Sequence, residues 1–201
     1  MVKVPLTIVR AALCAALLGE FSLRGYWARR NREASGRPHR GKNARRDLAE
    51  IVLMAVAGSY YVVYAAFVAY PRLVNFAQAP TVWPVFAAGI LLLVSGLLLT
   101  ASGHGALGAS FSPSPETDGM HPLVTHGPYA YMRHPMYVAW VLSSFGVTLT
   151  SANLVCAGLA LLLGVLLVIR SRKEDRVLEA VYGDEWRAYA RRTGFFRRCG
   201  S

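Results

Sequence analysis

Charged side chains in this 201-residue chain are gathered into a few blocks, separated by apolar runs of the length a lipid bilayer demands. Residues 82–100 and 152–169 contain no Asp, Glu, Lys or Arg. A hydrocarbon core about 30 Å thick is crossed by about 20 helical residues at 1.5 Å each. Five such runs stand out: 4–23, 51–70, 82–100, 136–150 and 152–169. Arg10 and Glu20 interrupt the first. Only Ser151 separates the last two, which predicts a tight helical hairpin, thinner than the bilayer or recessed into it. No alternation of period two suggests a barrel. The expectation is an all-α integral membrane protein with about five transmembrane helices, the fourth and fifth forming the hairpin.

Composition agrees with separated blocks. Charged residues make up 16% of the chain, against roughly 25% in soluble domains, yet 22 Lys+Arg face 11 Asp+Glu for a net charge of +11. A disordered polyampholyte, a disulfide-rich secreted domain and an ordinary cytosolic enzyme are all excluded. Cys14 and Cys156 lie in apolar runs and read as packing thiols; Cys199 is third from the end, one place short of a prenylation box. Run 4–23 resembles a secretory signal, but no small-residue cleavage site follows it, so a retained helix is expected.

The basic residues set orientation. Residues 24–49 hold nine of them and the tail from Arg170 another nine, whereas 71–81 holds only Arg72 and 101–135 only Arg133. The positive-inside rule places 24–49 and the tail in the cytoplasm, which five spans satisfy with the N-terminus outside. Segment 101–135 then joins them there. The basic blocks read as topology signals and as attraction for anionic membrane lipids. Nucleic acid is not expected as a partner, because no aromatic residue for base stacking lies between Ala28 and Ala49.

Gly103, Gly105 and Gly108 match GxGxxG, but that motif needs a preceding strand and a following helix. Here it follows an apolar run and leads into Ser110-Phe-Ser-Pro-Ser-Pro115, so it reads as a decoy. Residues 121–137 are different: three prolines, three histidines and three tyrosines stand at the entrance to a membrane run. Composition alone allows an interfacial anchor there, with Gly127-Pro128 as a turn and Pro135 opening a helix. A second constellation follows run 152–169. Arg170 and Glu174 share one helix face, at a depth where ionisable groups are functional candidates. His121, His126 and His134 have no metal-ligand spacing, and no metal site is expected.

Leu123-Val124, Gly127-Pro128-Tyr129, Arg133-His134-Pro135 and Tyr137, followed by Arg170, Glu174, Leu178, Gly183, Trp186 and Tyr189, resemble the isoprenylcysteine carboxyl methyltransferase family. That family is related to the phospholipid methyltransferases. The resemblance covers residues 96–192. Asp175 stands where the family has a second Glu, and Tyr182 where it has Phe. Arg191-Arg192-Thr-Gly-Phe-Phe replaces its proline-containing ending. The implied division is an N-terminal helical part, 1–95, and a catalytic core, 96–201, whose C-terminal helix completes a cofactor pocket. The resemblance implies S-adenosylmethionine as cofactor, touching His121, Pro122, Leu123, Val124, Tyr129, His134, Pro135, Met136, Tyr137 and Glu174. Arg170 would face the methyl acceptor as catalytic and substrate-binding residue.

The chemistry of the residues fits those roles. A sulfonium or ammonium favours a carboxylate and aromatic faces, and an acceptor carboxylate favours a bidentate arginine. The expected function is O-methylation of an isoprenylcysteine-like or other lipidic carboxylate at the cytoplasmic membrane face. Alternatives are N-methylation of a phospholipid amine, a reductase or isomerase on the same membrane core, and a non-enzymatic basic membrane scaffold.

Overall fold

The computed structural model describes residues 2–35, 48–74, 77–108 and 122–194. Among these residues six α-helices follow one another: α1 (Leu6–Ser35), α2 (Leu48–Ala69), α3 (Trp83–Leu107), α4 (Pro135–Ser151), α5 (Leu154–Tyr182) and α6 (Asp184–Arg192). Four of them, α1, α2, α3 and α5, are long and apolar enough to cross a membrane. The protein is a multi-pass, all-α membrane protein. At 17 residues, α4 reaches only about 25 Å, and the apolar part of α5, 154–169, is about as long. The expected short hairpin is present. It puts Arg170 level with the first turn of α4.

The hairpin turn differs from the expected one. Ser151 ends α4, and Ala152 makes the reversal with φ 48°, a left-handed conformation costly for a residue with a Cβ. Two groups hold it there. Asn153 caps α5 by accepting from the amides of Val155 and Cys156, and its amide nitrogen donates to the Val74 carbonyl at 3.0 Å. The Ala79 amide donates to the Ala152 carbonyl.

Helix α3 lies antiparallel to α4 along a seam to which it presents Gly89, Gly96 and Gly103. A Cβ on Gly96 would stand 3.0 Å from both the Ala139 carbonyl and the Ser143 amide, and one on Gly89 would stand 2.7 Å from the Thr150 amide. One on Gly103 would meet the Met136 sulfur at 2.8 Å. Close backbone approach of this kind is how helices associate without a hydrophobic driving force.

Three charged residues of α1, Arg10, Glu20 and Arg24, make contacts within the protein. Arg10 donates to the carbonyls of Val68 and Ala69, which end α2 and have no helical partner. Glu20, buried, pairs with Arg24 at 3.6 Å and accepts from the Tyr61 hydroxyl at 3.3 Å; Arg24 lies 4.9 Å over the Trp140 ring. Ionisable groups at membrane depth are retained when paired in this way.

These contacts sort the ends of the bundle. Arg10 with Val68, Val4 with Thr81, and Asn153 with Val74 mark one end. Trp27 stacked on His104, Glu50 with Arg170, and Arg133 with Asp175 mark the other. The Gly103–Gly108 motif closes α3 at that second end.

Candidate active site

At the second end, the hydroxyl of Tyr137 joins two charges. It accepts from Arg170 Nε at 3.0 Å and donates to Glu174 Oε2 at 2.5 Å. Pro135 makes this possible by opening α4, its fixed φ suiting a first turn that needs no amide donor. Tyr137 follows two residues later and points across to α5. Arg170 and Glu174, one helical turn apart, both reach it. A cation and an anion are thereby held a phenol apart.

Aromatic rings extend the site. The His134 ring stacks on Tyr137 with centroids 5.3 Å apart and planes within 6°. Tyr129 comes from the 3₁₀ turn Gly127–Ala130. Its phenol is raised well above its ordinary value, first by burial and then by the negative charge of Glu174. Tyr129 therefore remains a neutral proton donor beside that carboxylate.

The loop is fastened to the tail. Asp175 accepts from Arg133 Nη1 at 3.0 Å and pairs with His134 Nε2 at 2.8 Å. Gly183, at φ 55°, stops α5 by donating to the Glu179 carbonyl and turns the chain into α6. There Trp186 and Tyr189 are buried, and the Tyr189 hydroxyl donates to the Tyr129 carbonyl at 2.8 Å. Burial pushes that phenol up to about 12, so it keeps this proton throughout the physiological range. The Arg133 amide completes the fastening on the Gly194 carbonyl.

The structure thus brings together Arg170, Glu174, Tyr129, His134 and Tyr137. Pro135 is buried beneath them, while Leu123 and Val124 are half-buried and Pro122 exposed in the segment leading to the turn. The Met136 side chain lies instead over Gly103 of α3. His121, the basic stretch 36–47 and Cys199 lie outside the described residues.

Glu50 is the member that sequence reasoning missed. It sits in the first turn of α2 and meets Arg170 Nη1 at 3.2 Å. The available signal was an acidic residue opening a membrane helix at the same end as Arg170. With Ala49, Leu53, Leu166, Ile169, Arg170, Lys173 and Glu174 it lines a groove between α2 and α5. Ala49, Leu53, Leu166 and Ile169 are its apolar lining, and Glu50, Arg170, Lys173 and Glu174 its charged lining.

A family model described as phospholipid methyltransferase matches residues 84–185, just over half of the chain. The chain belongs to the phospholipid methyltransferase family. Over 110 residues it is 33% identical to the protein-S-isoprenylcysteine O-methyltransferase of Mus musculus, which covers 53% of this chain and 38% of that protein. The human protein of the same name is 32% identical over 108 residues, 52% of this chain and 38% of its own length. The cobalt-zinc-cadmium resistance protein CzcN of Cupriavidus metallidurans is 42% identical over 78 residues, 38% of this chain and 36% of its own. The matched stretch therefore spans well under half the length of these relatives. The family match includes Tyr129, His134, Pro135, Tyr137, Arg170, Glu174 and Asp175, while Glu50, Trp186 and Tyr189 fall outside it.

Proposed function

We propose that this protein is an S-adenosylmethionine-dependent methyltransferase that esterifies the carboxylate of an isoprenylcysteine-like or other lipidic acceptor at the cytoplasmic face of the membrane. The observation that carries the reading is the Tyr137 hydroxyl joining Arg170 to Glu174. A methyl donor with a sulfonium and an ammonium needs an anion and aromatic faces; an acceptor carboxylate needs a cation. Both sets stand within one side chain of each other.

Glu174, with Tyr129, Tyr137 and His134, would hold the donor's positive groups. The stretch 121–124 and the first turn of α4, with Pro135 and Met136, would complete its cradle, as the resemblance implies. S-Adenosylmethionine supplies an electrophilic methyl on sulfur. Arg170 would bind and aim the acceptor carboxylate. Such a group is ionised at neutral pH, so transfer calls for no general base. The residues act by alignment and by withdrawing the nucleophile from water, where orientation contributes up to about 7–11 kcal/mol. The apolar residues of the groove, Leu53, Leu166 and Ile169, offer the lipid part a place beside Arg170, and the basic blocks draw the site toward anionic lipid.

Methyl transfer from labelled donor into host lipid and protein extracts tests the reaction, and a scaffold would show no saturable donor binding. Arg170 tests the acceptor's charge. Arg170→Ala should cost roughly 2–4 kcal/mol in transfer with donor affinity nearly unchanged, and Arg170→Lys should keep part of the activity. Unchanged turnover of Arg170→Ala at full donor occupancy would favour an amine acceptor.

A further inference from the structure

We infer that Glu50 is a resident carboxylate on the acceptor arginine and sets which head groups Arg170 will take. This rests on the reading of Arg170 as the acceptor's cation. The guanidinium has five N–H donors in a rigid fork. Tyr137 takes Nε, and the Glu50 carboxylate takes Nη1 at 3.2 Å. An incoming carboxylate that uses the fork as a pair of parallel bonds needs the edge on which Glu50 sits.

The pair is built to exchange. Both side chains are 22% exposed, so water screens their attraction and can solvate Glu50 when it leaves. A fully buried pair would hold far more tightly. Charge in the groove points the same way. Glu50 and Glu174 offset Arg170 and Lys173, so an anion entering with Glu50 still in place would leave the groove negative. An anionic head must therefore displace Glu50. A cationic head would gain from it. The sign of a Glu50 substitution on acceptor affinity consequently reports the acceptor's charge.

The test uses the full-length protein in detergent with N-acetyl-S-farnesyl-L-cysteine, a prenyl thioether with one carboxylate, and with its uncharged methyl ester. Glu50→Gln should bind the acid three- to tenfold more tightly than the wild type, with affinity for the ester and for S-adenosylmethionine unchanged. The gain should vanish when Arg170→Gln is added, and Glu50→Asp should fall between. Equal or weaker binding of the acid by Glu50→Gln overturns the inference, as does equal tightening of the ester or failure of every variant to bind the acid. Thermal unfolding checks that the variants are folded. Methyl transfer is measured in parallel. A protein whose Glu50→Gln variant binds the acid more tightly, yet which transfers no methyl, would refute the reaction and leave the contact standing.

Discussion

Glu174 and Asp175 are neighbours in sequence with different partners. They stand about 100° apart around α5. Glu174 accepts from Tyr137 beside Arg170, while Asp175 fastens Arg133 and His134. Glu174→Gln should therefore weaken donor binding at least tenfold, read by equilibrium binding of labelled S-adenosylmethionine. Asp175→Asn keeps one of the two acceptor oxygens that Arg133 and His134 use and leaves Glu174 untouched, so it should lower donor affinity less. Its ion pair with Arg133 is about one-quarter exposed, so its loss should lower the unfolding midpoint by the equivalent of ~1 kcal/mol or less. Equal losses of donor affinity would overturn this division. The helix phase that separates the two residues is visible in sequence. What Asp175 holds is not, because its partners lie 41 and 42 positions away. Glu50 escaped for the same reason: its contact with Arg170 spans 120 residues, and no local pattern records it.

Among the helices, the α3–α4 seam carries the most specific demand. Gly89, Gly96 and Gly103 recur every two turns on the face that meets α4. Gly96→Ala would press a methyl against the backbone of Ala139 and Ser143, where little can yield. A cost of about 1–3 kcal/mol is expected, read as a lowered unfolding midpoint in detergent. Gly164 makes the control. A Cβ there meets nothing within 4 Å, so Gly164→Ala should be neutral or slightly stabilising. Equal destabilisation by both would show that the seam is not the cause. The boundaries of the apolar runs were legible because charge stops and starts so sharply. The reach of α5 to Tyr182 was less so, since hydropathy ends at Ile169 while the helix runs on through charged residues until Gly183 turns it. The glycine seam was hidden in plain letters. Its last member also begins the GxGxxG match, which reads as a decoy for nucleotide binding and says nothing of packing.

For the whole molecule, the two ends of the bundle divide the labour. One end ties down the hairpin turn through Asn153, Val74 and Ala79. The other gathers Arg170, Glu174, Tyr137 and the docked α6. The basic-residue contrast predicts which end faces the cytoplasm, and the contacts place the ends of α1, α2, α3 and α4 as five crossings require. A site drawing on a cytosolic donor must face that compartment. Cysteine labelling in intact cells decides it. With the native cysteines replaced, Ala79→Cys and Ala130→Cys put probes at exposed positions on opposite ends. A membrane-impermeant maleimide should label position 79 from outside, and position 130 only after the membrane is opened. The nine basic residues in 24–49 and nine in the tail set this expectation against one in 71–81. Labelling of position 130 from outside would invert the bundle. It would place Arg170 and Glu174 where no cytosolic donor reaches, and the proposed reaction could not occur there.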